Sequence, residues 1–282
     1  MAYPAGKSQA DTILEIEKLR KMHVSHVLGA KEQLTVIDDV SFGVKEGEFV
    51  TIIGPSGCGK STLLNIVAGL EPYDSGDIVV RGHRIGGAGP DIIMVFQEDS
   101  LFPWLTVQGN VEFGLEQKGL SKQERKRIAS EYIELVDLEQ FADAQVHQLS
   151  GGMKQRAAIA RALALNPRIL LMDEPFGALD ARTRQILQNE IQKIHEKTKK
   201  TILFVTHDVR EAVSLGDRVI VFTRRPAQIK QQYIVDLPRP RDSEDPALIG
   251  LINSIMREIK EETIPIDGET KKDTRDRVEL TA

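Results

Sequence analysis

The chain has 282 residues, 37 basic and 42 acidic side chains, a net charge of −5 and one cysteine. That length holds one large domain or two small ones and needs no disulfide staple. The acidic balance speaks against sequence-independent nucleic-acid binding, the lone Cys58 fits a reducing compartment, and no apolar run approaches the ~18–20 residues of a membrane span. The first ten residues lack the apolar stretch of a signal peptide. Residues 1–11 are small and polar and read as a frayed tail. Short β-leaning stretches follow at 13–16, 34–37 and 40–44, then an apolar run at 48–53 that reads as a buried strand. Residues 60–70 have helical spacing through Leu63, Leu64, Val67 and Leu70. From 97 to 166 the strand signal fades. That stretch holds a helix over 121–138, opened by the capping pair Ser121 and Glu124, and an alanine-rich helix over 152–165 behind the N-cap Ser150. Strand patterns return at 168–172, 201–205 and 218–223, with a helix at 181–199 between the first two. This alternation predicts a parallel α/β sheet. Pro238, Pro240 and Pro246 break the chain before a last amphipathic helix over 247–261. Residues 267–282 are charged and read as disordered.

Gly54-Pro55-Ser56-Gly57-Cys58-Gly59-Lys60-Ser61 fits the spacing of a phosphate loop, followed by Thr62. Glycines let successive backbone N–H groups converge on phosphate oxygens, and the helix opening at Lys60 adds its positive end. Lys60 suits the β/γ-phosphates and Ser61 a magnesium ion. The Cys58 side chain reads as a small filler in this loop.

The run 168–175 is apolar until Asp173 and Glu174. In a parallel sheet, ligands bind outside the carboxyl ends of the strands. Asp173 is therefore expected to hold Mg2+, and Glu174, on the other face, to act as general base on water. Ser150-Gly151-Gly152 forms a second helix start suited to an anion. One phosphate loop and two phosphate-seeking elements are reconciled by a head-to-tail dimer, in which this element caps the nucleotide held by its partner.

Taken in order, residues 54–61, Gln97, 149–156, 170–175, Gly177-Ala-Leu-Asp180 and His207 resemble the Walker A, Q-loop, signature, Walker B, D-loop and switch-histidine motifs of ABC transporter ATPase subunits. The resemblance implies a P-loop NTPase fold: a RecA-like core, an antiparallel β subdomain and a helical subdomain near 100–166, within an ATPase domain spanning 12–235. A C-terminal extension with one helix, 236–266, follows. It further implies ATP with Mg2+, a homodimer sandwiching two ATP, Asp180 across that interface, Gln97 at the metal or the water, and His207 at the γ-phosphate. The partners would be two integral-membrane permease subunits and an extracytoplasmic substrate-binding protein, with no nucleic acid. The chain would sit at the cytoplasmic face of the membrane, with the membrane-crossing part on a separate polypeptide.

Members of this family place an aromatic after the first strand to stack on adenine. Here His23 stands at that position, so base contact by its imidazole is expected. The sequence Ser100-Leu-Phe-Pro-Trp104-Leu-Thr-Val107 suits a docking groove for a partner helix. Together with Val235-Asp-Leu-Pro-Arg-Pro-Arg-Asp242 it resembles the nitrate/sulfonate/taurine importer ATPases. The alternative is a soluble ABC-type ATPase not coupled to transport.

Overall fold

The computed structural model describes residues 11–27, 30–97, 100–241 and 245–263. The predicted tails at 1–11 and 267–282 lie outside them, Asp11 apart. Two strands of 16 residues, β1 (Thr12–Val27) and β2 (Ala30–Lys45), pair antiparallel. They appear in the sequence only as short β-leaning fragments because register shifts near Ile16, Leu19 and Lys21 interrupt the alternation on which such patterns rest. Strand β3 (Phe49–Ile53) leads through the 54–59 loop into α1 (Lys60–Val67). Next come β4 (Ser75–Val80), β5 (His83–Arg84) and β6 (Ile92–Val95), none of which has a strong pattern in the sequence.

The helical part contains α2 (Val107–Gln117), α3 (Lys122–Leu135) and α4 (Gly151–Ala164). The capping box of Ser121 and Glu124 is present at α3, and Ser150 Oγ accepts the Met153 N–H at α4. Then follow β7 (Ile169–Asp173), α5 (Ala181–Thr198), β8 (Thr201–Val205), α6 (Val209–Leu215), β9 (Arg218–Phe222), β10 (Ile229–Ile234) and α7 (Pro246–Thr263).

Two sheets result. One is antiparallel, in the order β2-β1-β4-β5. The other runs β10-β9-β3-β8-β7-β6, parallel throughout except for the edge hairpin β9–β10. The parallel sheet explains the continuous apolar runs in the sequence, because both of its faces are covered. Val50, Ile52, Leu171, Leu203, Val205 and Ile220 face α1 and the antiparallel sheet. The alternate residues Phe49, Leu170, Met172, Ile202 and Phe204 join the core of the helical part. Each such buried side chain contributes roughly 1.5–3 kcal/mol.

A third core lies under the C-terminal helix, where Leu248, Ile252 and Ile255 of α7 cover α6 and the outer face of β9. The run 235–241 leads to it as a clamp. Arg239 pairs with Asp217 and lies over the Phe49 ring. Arg241 is buried and donates to the carbonyl oxygens of Leu237, Val235, Val213 and Gly216, which offset the cost of taking its charge from water. Burial and the neighbouring Arg239 charge push its pKa down to about 10.

Candidate functional site

The phosphate loop hangs between the end of β3 and the start of α1. Gly57 and Gly59 have φ of 71° and 122°, which side chains disfavour. A Cβ on Gly54 would sit 3.0 Å from the Phe222 Cβ, so the turn lies tight against β9. No side chain caps α1, which leaves the first N–H groups of the helix facing the loop. Lys60 is nearly buried, and its Nζ donates to the carbonyls of Gly54 and Pro55 at 3.0 and 3.1 Å. Cys58 is buried and its thiol is pushed up by desolvation, with the Lys60 charge opposing, so it behaves as filler.

Strands β7 and β8 end at the same edge. Ser61 Oγ donates to Asp173 Oδ1 at 3.0 Å. Burial pushes the Asp173 carboxyl above the ordinary carboxylate range, the Ser61 bond and the Lys60 charge oppose this, and the Glu174 charge adds to it. Glu174 takes a left-handed backbone, φ 42°, while its N–H bonds to Val205 O at 2.9 Å. A non-glycine residue in this region stores strain of order 1 kcal/mol, common where a side chain must be aimed. Here Glu174 Oε2 lies 2.9 Å from His207 Nδ1, which follows β8. Glu174 also lines a cleft of about 310 Å3 with Ser56, Gly57, Gly59, Lys60, Ser61, Thr62 and His23. A larger hollow of about 440 Å3 lies at the opposite, amino-terminal end of β6 and β7, lined by Arg81, Arg84 and Arg168. Its arginines pair with Glu46, Asp77 and Asp91, and none of the motif residues reaches it.

Of the residues singled out from sequence, the structure thus gathers the 54–62 loop, Asp173, Glu174 and His207 at one edge. Gln97 approaches the same region: a Cβ on Gly177, just past Glu174, would stand 3.5 Å from its Nε2. His23 reaches the cleft from β1, with Nε2 paired to Glu71 Oε1 at 2.8 Å. Ser150, Gly151 and Gly152 are not among the cleft-lining residues. They stand beside the start of α5, Gly151 against Leu179 and Gly152 against Thr183. Asp180 caps that helix by accepting the Thr183 N–H at 3.0 Å; bonds from the Thr183 side chain and backbone hold its exposed carboxyl below the ordinary range. The apolar run after Gln97 is on the surface, Trp104 being 70% exposed beside Phe102.

Two residues at this edge carry no motif signal. Arg225, in the loop after β9, donates to the Gly57 carbonyl and lines the cleft. Its place after a predicted strand was the available clue, since such loops surround the ligand edge. Glu211 of α6 is a buried carboxylate that accepts from Gln188 Nε2 at 3.0 Å. It is pushed up by desolvation, against bonds from Thr206 and Gln188.

Comparison with known proteins accords with this geometry. The sequence profile of the family described as "ABC transporter" matches residues 37–177. An ABC transporter ATP-binding protein of Methanocaldococcus jannaschii is 49% identical over 251 residues, covering 89% of this chain and 92% of that one. The nitrate import ATP-binding protein NrtD of Synechocystis is 46% identical over 233 residues, 83% of this chain and 85% of its own length. Among solved structures, the dimeric post-hydrolysis state of the ATP-binding cassette MJ0796, bound to ADP and Pi, superposes with a TM-score of 0.70 at 34% identity, covering 80% of this chain and all of that one. A P-loop ATPase fold, a phosphate loop with its acidic strand end, and these likenesses lead to one conclusion: the chain belongs to the ABC transporter family and is an ATP-binding, ATP-hydrolysing member of it.

Proposed function

We propose that this ATPase is the energy-coupling subunit of an importer, with the ATPase module over 12–235 and a C-terminal extension behind it. The observation that carries the proposal is that Lys60, Ser61 and Glu174 line one cleft, with Asp173 bonded to Ser61 and His207 to Glu174, while Ser150–Gly152 stand beside the start of α5 and touch none of these residues in the contacts described above. A signature element placed beside α5 rather than in its own chain's cleft is suited to serve the phosphate loop of a second copy. The dimeric cassette described above supports a homodimer; we place Asp180 at its seam.

Within each site, backbone N–H groups of the loop and the Lys60 charge bind the phosphates. Glu174 accepts a proton from water as that water attacks the γ-phosphorus and the bond to the ADP oxygen breaks, yielding ADP and phosphate. His207 holds the Glu174 carboxylate and the water in line, and Gln97 reports site closure to the membrane partner. The Ser61 hydroxyl and Asp173 carboxylate are hard oxygen donors and fit Mg2+. Bound there, the ion would neutralise charge on the phosphates. His23 stacks on the base from the β1 side.

Trp104 and Phe102 form the docking surface for two permease subunits at the cytoplasmic face of the membrane, and a substrate-binding protein completes the complex. No helix among the described residues is long and apolar enough to cross a membrane, which fits a division of labour between chains. The solute is nitrate, a sulfonate, taurine or a related small solute, and the likeness to the nitrate import protein supports the first of these. Co-purification from detergent-solubilised membranes tests the partnership: hydrophobic permease subunits should accompany the chain. Recovery without any such subunit would favour an ATPase uncoupled from transport. Stimulation of ATP hydrolysis in the reconstituted complex by one candidate solute then identifies it.

A further inference from the structure

The loop between β9 and β10 reaches from the C-terminal helix to the phosphate loop. At one end, Arg225 Nε and Nη2 donate to the single carbonyl oxygen of Gly57 at 3.1 and 2.9 Å. The same peptide unit carries the Cys58 N–H, which donates to Pro55 O at 3.3 Å. A planar peptide has its oxygen and hydrogen on opposite sides, so this unit is held at both ends. Gly57 at φ 71° would otherwise be the freest link of the loop. Fixing it before the nucleotide arrives removes an ordering cost from binding.

At the other end, the N–H of the neighbouring Arg224 donates to Glu262 Oε2 of α7 at 3.1 Å. Glu262 also pairs with Lys230 Nζ of β10 at 3.1 Å, and Glu258 shares that lysine at 3.2 Å. Around these two residues the loop is closed on itself by Thr223 and Gln228 and tied to β2 by Ala227 N–H to Val36 O at 2.8 Å. A displacement of the last turns of α7 therefore has a short, hydrogen-bonded route to Gly57.

We propose that Arg225 is a positioning residue for the phosphate loop and that α7 sets it through the Glu262–Arg224 contact, so that the C-terminal helix tunes affinity for ATP. Neither the family motifs nor the catalytic cluster includes these residues.

The test uses the full chain, with KM and kcat from phosphate release and the dissociation constant of ATP from displacement of a fluorescent ATP analogue. Arg225→Ala, an exposed position, should raise KM and the dissociation constant about tenfold, the equivalent of ~1.4 kcal/mol, with kcat at saturating ATP within about twofold. Glu262→Ala should weaken ATP about threefold in the same sense, and no further in the Arg225→Ala background. Glu262→Gln keeps an oxygen for the Arg224 N–H and should restore affinity. Glu258→Ala, which removes a Lys230 partner but not the Arg224 contact, should leave affinity unchanged. An unchanged KM in Arg225→Ala, or a loss confined to kcat, overturns the positioning role. Additive effects of the Arg225 and Glu262 changes, failure of Glu262→Gln to rescue, or an equal loss in Glu258→Ala overturns the link to α7.

Discussion

His207 Nδ1 lies 2.9 Å from Glu174 Oε2, and the two residues leave the ends of neighbouring strands β8 and β7. In the proposed mechanism this pair orients one water and accepts its proton. Glu174→Gln should therefore keep ATP binding and lose turnover by ~10²–10⁴-fold. His207→Ala should also slow turnover, and the double variant should be little worse than Glu174→Gln alone, since the two act as a unit. Phosphate release beside nucleotide binding checks both. Normal turnover in Glu174→Gln would remove it from the reaction.

The Asp173 carboxyl gives a pH signature. Burial raises its pKa, with the Ser61 bond opposing and the Glu174 charge assisting. The folded chain therefore holds this proton more tightly than the unfolded chain does. Ionisation of Asp173 costs stability as pH rises through the folded value, and the cost vanishes below the unfolded value. On the proposed role of Asp173, a proton also competes with Mg2+ for the same oxygens. The Mg2+ needed for half-maximal hydrolysis should rise on acidification, beginning above the ordinary carboxylate range. Magnesium titrations over a pH series should show this rise, and Asp173→Asn should abolish activity while the apo protein melts at an equal or higher temperature.

Glu211 follows the same sign at a position outside the reaction. Its carboxyl is raised by desolvation against two hydrogen bonds, so its charge is a burden on the fold near neutral pH. Glu211→Gln keeps an oxygen for the Gln188 N–H and removes the charge. Its melting temperature at neutral pH should exceed that of the parent. The gain should shrink as pH falls through the raised folded value and vanish below the unfolded glutamate range. Thermal melts of both proteins across pH decide it; a lower melting temperature at neutral pH would show that the charge itself holds α5 to α6.

Gly152 has no room for a side chain. A Cβ there would stand 2.5 Å from Thr183 Cγ2. Gly152→Ala should cost ~1–3 kcal/mol by overpacking α4 against α5. Thr183→Ser removes the offending methyl and keeps the hydroxyl and the N–H bonded to Asp180. Combined with Gly152→Ala it should recover most of the loss in a denaturant melt.

His23→Ala probes the base. An aromatic contact of ~0.5–1.5 kcal/mol corresponds to ATP binding weaker by about two- to tenfold. An unchanged ATP dissociation constant would take His23 out of the site and leave its bond to Glu71 as its whole role.

The chemistry of this chain is legible in its sequence because a phosphate loop works through backbone conformation, and glycine spacing encodes that directly. Helix caps are legible for the same local reason, as Ser121 with Glu124 and Ser150 demonstrate. What sequence patterns conceal is contact at long separation. Helix α2 carries Gly109 and Gly114, poor helix formers; Gly114 is there because a Cβ would meet Leu165 Cδ2 at 2.7 Å. Strands β4 to β6 are short and only partly buried, so neither alternation nor an apolar run marks them. Arg225 reaches Gly57 across 168 residues, a relation no window along the chain contains.

Strand β3 lies between β8 and β9 and is buried along its whole length. Solvent can reach its peptide hydrogens only when the neighbouring strands part, so its amides should exchange with deuterium at the rate of global opening. The phosphate loop is thus suspended from a segment expected to exchange among the slowest in the molecule. Nucleotide arrival and departure need cost this ATPase no sheet opening: the loop and the acidic strand end keep their mutual register through every turnover for which the chain stays folded.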